Sequence, residues 1–430
     1  MGKSEKLKIK STIWDNMHYF FDAYNDHCMR VEIQFDGRLN KDILINALNK
    51  TVSHIPILKA RWVVRRLSTY WEVINNFNAK DYVLETNDLT EAECFMVEKI
   101  DEKASAQIKV LIYNRNGKDS LRILLNHMVF DGASLKDFLT LLARYYSGLK
   151  KSSDFAVTDF QNGDRRFKQL YKNFTLREKI KLAFKVSSSK KNSEKLGFPY
   201  EKGTTATEKT LIRSYYDESF FLKLKNKARE VDVTLNDVFL AAYGRAMFDM
   251  NDETDLPLEI DCVIDLRKYI KGGKTKGLTN LISKIVLPFE KIDGESFSDS
   301  VKRMHETMKE FKNDYPGMAG LSHLRLGFSL IRTTSLRKFV FKNLFVNPLT
   351  ALSNIGSVSE DIVAYEGLNA EGFYITGAIK YPPYTLLSLF TFRNRLYIST
   401  SIVGTKNDVK KGEEKLEIVR KYLQCFINQC

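Results

Sequence analysis

The chain has 430 residues, 43% of them hydrophobic, 12% aromatic and 28% charged, which supplies apolar material for one large or two medium cores and excludes a disordered chain. Twenty-two glycines and eight prolines exclude collagen-like or low-complexity sequence, and five cysteines without CxxC spacing exclude a small disulfide framework. A formal net charge of +14 points toward an acidic, phosphate-bearing or anionic partner.

Residues 1–10 hold five charged side chains and no apolar run, so no secretory leader is read and a cytoplasmic protein is expected. Residues 29–35 alternate like a strand with one buried face, and Asp36-Gly37 marks a turn. Asn40 is placed to cap a helix over 41–53, whose Ile43, Leu44, Ala47 and Leu48 share a face. Strands are predicted over 59–64 and 70–74, a helix over 91–102, and strands over 108–113 and 120–125. A turn follows, then 133–149 has the Leu, Phe and Tyr spacing of a core helix. Residues 187–207, Ser- and Lys-rich with Gly197, Pro199 and Gly203, read as a linker between lobes 1–186 and 208–430.

The second lobe opens with a strand over 211–216, a helix over 218–231 and an apolar helix over 235–249 behind Thr234. Strand 260–264, a glycine- and lysine-rich loop 268–277, strand 281–287 and helix 297–311 come next. The apolar stretch 321–346 is interrupted by Arg325, Arg332, Arg337, Lys338 and Lys342 too often for a membrane span. Strands near 351–353, 372–375, 385–392 and 395–403 lead to a last helix over 409–425. Alternating elements in two lobes define an α/β (α+β) class.

The excess charge is concentrated in two places. Residues 165–195 hold eleven basic residues against two acidic ones, with apolar residues at near-helical spacing, and 321–343 adds five basic residues and no acidic one. Such surfaces suit an acyl-CoA, an acidic acyl-carrier protein or anionic membrane lipid. Without a helix-turn-helix, RRM-like or zinc-finger pattern beside them, nucleic acid is not the expected partner. Six scattered histidines without HxH or HExxH give no metal site, and GxSxG, Walker A and GxGxxG patterns are missing.

One constellation carries chemistry. Leu124-Leu125-Asn126-His127-Met128-Val129-Phe130-Asp131-Gly132 puts a histidine directly after an apolar strand, in a turn that ends with Asp-Gly and opens a helix. A neutral imidazole is the best available base near neutral pH, and a carboxylate four residues on can fix the loop around it. His18, His27, His54, His305 and His323 read as helix or surface residues.

The segment 126–132 resembles the HHxxxDG motif of the CoA-dependent acyltransferase superfamily, which includes condensation domains, alcohol acetyltransferases and chloramphenicol acetyltransferase. The likeness runs along nearly the whole chain: 31–62 resembles the family's opening strand and helix, 234–242 its long second-lobe helix, 261–267 its "vDlR" strand, and 352–356 the "SNxG" stretch of the alcohol acetyltransferase branch. Asn126 stands where the motif's first histidine is usual. The resemblance implies two chloramphenicol-acetyltransferase-like lobes, each a mixed sheet with flanking helices, around a V-shaped cleft and substrate tunnel. It implies His127 as the general base, Asp131 as a structural residue paired with Arg267, and Gly132 as the residue that permits a tight turn and close backbone approach. Asn126, Ser353 and Asn354 become candidates for binding substrate. No bound cofactor and no metal are expected, acyl-CoA being a co-substrate and a small alcohol or amine the acceptor. The implied activity is alcohol O-acetyltransferase-like. The alternatives are a stand-alone condensation-type protein fed by an acyl-carrier thioester, or a silent binding homologue.

Overall fold

In a computed structural model of the protein, residues 7–160, 163–185, 194–251, 255–273 and 278–428 are described. The linker expected over 187–207 and the loop expected over 268–277 therefore fall partly outside the described residues.

The first lobe is built on a five-stranded sheet ordered Ala370–Thr376, Cys28–Phe35, Lys118–Asn126, Ile108–Arg115, Val83–Thr86; only the last pair runs parallel. Helices Lys41–His54 and Gly132–Lys151 pack together over it. Asn40 caps the first of these as expected, its Oδ1 accepting from Ile43 N at 3.0 Å. The strand Cys28–Phe35 differs from its half-buried expectation, because its polar face is buried as well. Arg30 donates to Cys28 O, to Glu98 O and to Asp26, while Glu32 meets Arg122 at 3.1 Å and Arg213 of the second lobe. A buried ionic network of this kind holds only when each charge has its partners, so the alternation here records an interface between lobes.

The second lobe carries a six-stranded sheet ordered Ile282–Phe289, Leu258–Asp265, Thr350–Ser357, Thr385–Phe392, Arg395–Gly404, Glu208–Tyr216. Thr350–Ser357 lies parallel to both neighbours and the other pairs are antiparallel. The apolar helix Leu235–Asp249 is capped by Thr234 in a reciprocal pair with Asp237, and it packs with Phe297–Asn313 and Lys406–Asn428. Sheet alternation then decides what faces where. Ile260, Cys262 and Leu352 enter this lobe's core, while Asp261, Val263, Ala351, Ser353 and Ile355 point the other way, into a cavity.

Two features fall outside the sequence-based division. The strand Ala370–Thr376, read from sequence as part of the second lobe, pairs antiparallel with Cys28–Phe35 and covers what would be an exposed sheet edge of the first. Its Phe373 and Ile375, with Ile362, Val363 and Tyr365 before it, are buried in the first lobe's core. The arginine-interrupted stretch after Leu321 forms two short helices, Leu321–Leu330 and Thr334–Leu344, and no described helix is long and apolar enough to cross a membrane.

Candidate active site

The site grows from the end of strand Lys118–Asn126. Asn126 is buried, its N–H donates to Gln107 O at 3.1 Å, its amide donates to Gln107 Oε1 at 2.7 Å, and its Oδ1 accepts from Met128 N at 2.9 Å. Those bonds turn the chain away from the sheet. His127 N then donates to His27 O at 2.6 Å, from a residue held at φ 56°. Asn126 therefore shapes the turn and does not line the cavity, unlike the substrate-binding position expected of it.

Four residues later Asp131 caps helix Gly132–Lys151, its Oδ1 accepting from Ser134 N at 3.0 Å. The same carboxylate receives the Arg267 guanidinium in a bidentate pair, 2.8 Å and 2.9 Å, and Leu281 N at 2.7 Å. Arg267 also donates to Asp265 at 3.1 Å, Ser134 Oγ at 3.0 Å and Thr279 O at 3.2 Å. Asp131 is fully buried and does not line the cavity, while Arg267 reaches the cavity wall, so this pair is a staple joining the two lobes.

Gly132 has a different reason from the one expected. Its φ is not left-handed, and a Cβ built on it would lie 3.7 Å from Ile355 Cγ2, an ordinary contact. What glycine leaves there is open cavity wall.

The cavity holds about 1100 Å³ and lies between the lobes. Its lining is mainly apolar, including Trp14, Phe21, Leu135, Val263, Phe328 and Phe341, and His127, Ser353 and Asn354 stand on its wall. His127 Nδ1 is buried, which leaves Nε2 as the nitrogen able to meet a ligand. Burial lowers its pKa, opposed by the backbone at His127 and Phe130 and by the charge of Asp131, and assisted by Lys380. A base held neutral in this way is ready to accept a proton at neutral pH.

Sequence reasoning missed two histidines. His18, which reads from sequence as a helix or surface residue, lines the cavity, and His27 is buried behind the His127 turn, its carbonyl accepting from His127 N. The ring of His18 stacks on that of His127, centroids 4.7 Å apart at 23°. Asn280 joins them, its Nδ2 donating to His127 O at 2.9 Å and lying 2.8 Å from His18 Nε2. Burial, then His127 and His27, push the pKa of His18 well below the usual value. His18 rides on helix Ile13–Phe20, which is tied to the His127 turn through Arg165: the guanidinium pairs with Asp15 at 2.6 Å and donates to Val129 O. His27 is buried with both ring nitrogens unpartnered and its pKa lowered to about 4, chiefly by burial.

In the second lobe Ser353 and Asn354 both line the cavity, Ser353 from the strand itself. Asn354 also closes an Asx turn, Oδ1 accepting from Gly356 N at 2.9 Å, where glycine at φ 77° accommodates a break in register with Thr385–Phe392.

The family model described as Condensation domain matches residues 16–332. Among curated proteins none matches in sequence. Among solved structures, the chain is similar to polyketide synthase associated protein 5 from Mycobacterium tuberculosis (TM-score 0.69, 15% identity, 98% of this chain and 99% of that one covered). It is similar also to the trichothecene 15-O-acetyltransferase of Fusarium sporotrichioides (0.71, 9%, 99% and 97%) and to the epimerization domain from the third module of tyrocidine synthetase B (0.68, 15%, 99% and 97%). At these identities the likeness is one of fold, and the names span more than one reaction.

Proposed function

The chain belongs to the condensation-domain family, and from that membership we propose that it transfers an acyl group from a thioester to a hydroxyl or amine, with His127 as general base. The observation that carries the reading is a histidine at the wall of a cavity between the lobes, with Nδ1 buried and its turn fixed by Asn126 and the Asp131–Arg267 pair.

In this reading the acceptor O–H or N–H gives its proton to Nε2 of His127 while its oxygen or nitrogen attacks the thioester carbonyl carbon. The carbonyl π electrons move to oxygen, giving a tetrahedral oxyanion for which Ser353, a cavity-lining residue, is the proposed donor. Collapse breaks the C–S bond, and the thiolate takes the proton back from the imidazolium. No covalent acyl-enzyme forms. Lys380 on the cavity wall disfavours the charged ring before reaction, and the apolar lining excludes water that would hydrolyse the thioester.

Acyl-CoA is the proposed donor, with a carrier-protein thioester as the alternative that family membership allows. The test is thiol release from acetyl-CoA, longer acyl-CoAs and an acyl-carrier thioester against a panel of alcohols and amines. Release from CoA thioesters supports the proposal; release from the carrier alone moves the donor to the carrier; release from none marks a silent homologue.

A further inference from the structure

Three neighbouring helices leave large apolar side chains in solvent. On Leu176–Phe184, residues Leu176, Ile180 and Phe184 recur every fourth position and form one stripe, exposed by 75%, 53% and 79%. On Leu321–Leu330, Leu326 and Leu330 are exposed while Leu324 and Phe328 line the cavity; on Thr334–Leu344, Leu336 and Phe339 are exposed while Val340 and Phe341 line it. The second and third helices are thus apolar on two sides, one toward the cavity and one toward solvent. The three adjoin: the first packs on the second, Gly320 N donates to Lys185 O at 2.9 Å, and Arg337 bridges the other two by donating to Phe328 O at 2.8 Å. An exposed apolar surface of this kind marks a site of interaction.

Charge selects the partner. No acidic residue falls between Asp314 and Glu360. Lys181 and Lys185 are paired with Asp314, and Lys338 with Asp22, so those cations are spent within the fold. Arg177, Lys179, Arg325 and Arg332 are exposed on or between the three helices and show no acidic partner among the described residues. Leucine, isoleucine and phenylalanine flanked by unpaired lysine and arginine is the composition that seats helices at a bilayer surface, apolar side chains in the acyl boundary and cations on the phosphates. We propose that the outer face of these three helices docks the protein on an anionic lipid bilayer. The proposal concerns the outer surface alone and is independent of the acyl-transfer reading.

The full chain is mixed with vesicles of phosphatidylcholine, with and without about 30 mol% phosphatidylserine, and the bound fraction is measured by co-sedimentation. The expected result is binding that requires phosphatidylserine and weakens about tenfold or more in Ile180→Glu/Phe184→Glu and in Leu330→Glu/Phe339→Glu, since each loses two buried apolar anchors. Arg325→Glu/Arg332→Glu weakens it through charge alone. None of these six side chains lines the cavity, so melting temperature and turnover of soluble substrate stay native. Three results overturn the proposal: no binding to anionic vesicles, binding that all three variants retain, or an acidic carrier protein or self-association occupying this face while vesicle binding does not depend on it.

Discussion

Removing the Asp131 carboxylate tests whether the two lobes are stapled at the site. Asp131→Ala strips four hydrogen bonds at once, two of them from the Arg267 guanidinium, and leaves a buried arginine with Asp265, Ser134 Oγ and Thr279 O as its remaining partners. Breaking a buried pair on one side costs about 3–5 kcal/mol. Asp265 is half-exposed and compensates in part, which favours the lower end, about 3 kcal/mol, and losing the helix cap adds about 1 kcal/mol. The paired replacement Asp131→Leu with Arg267→Met removes both charges. It should recover the ion-pair part of the loss, leaving about 1–2 kcal/mol for the cap and the orphaned Leu281 N–H. Denaturant unfolding followed by the fluorescence of Trp14, Trp62 and Trp71, all buried, reads both. An Asp131→Ala cost below about 1 kcal/mol, the range of a surface pair, or a double variant as unstable as the single one, would refute the staple.

Gly132→Ala should keep native stability or gain up to about 1 kcal/mol, because its Cβ meets only an ordinary contact; Gly132→Leu should fold but lose turnover by filling the cavity wall, as melting curves and activity assays would show. The acid limb of kcat/KM should fall with an apparent pKa below 6.5: burial lowers the His127 value, so the base is free at neutrality and is lost as pH drops through the lowered value. Lys415 is buried with two threonine hydroxyls for partners and no carboxylate among the described residues, and burial brings its pKa from 10.5 to about 7. Between those values the unfolded chain holds a proton that the folded one lacks, so stability rises with pH from about 7 toward 10.5. Lys415→Met should lack that rise when melting temperatures at neutral and alkaline pH are compared.

The sequence was most legible where local chemistry and packing agree. Thr234 and Asn40, each ahead of an apolar helical run, announced helices that begin where the structure starts them. The motif around His127 was visible because a strand end, a turn and a helix cap are contiguous in the chain. Arg267, by contrast, stood out only through its resemblance to a known strand, since 136 residues separate it from Asp131. His18 was hidden for the same reason. Its helix is short, and its stacking on His127 depends on Asn280 and on Arg165 reaching Asp15, none of which leaves a local pattern. Asn126 misled through position: next to the base in sequence, its side chain turns into the lobe, as successive residues leaving a strand do. The basic segment 165–195 overstated its free charge, because Arg165, Arg166, Lys181, Lys185 and Lys195 are each paired within the fold.

The central claim is that His127 removes a proton from an acceptor attacking a thioester. Its most direct test compares native protein with His127→Ala, matched for melting temperature, following thiol release and the acylated acceptor together by mass spectrometry. The account predicts that both products form in parallel with native protein and fall by a factor of about 100 or more in the variant, the scale of a lost general base. Native turnover that survives the substitution within a few-fold would contradict it.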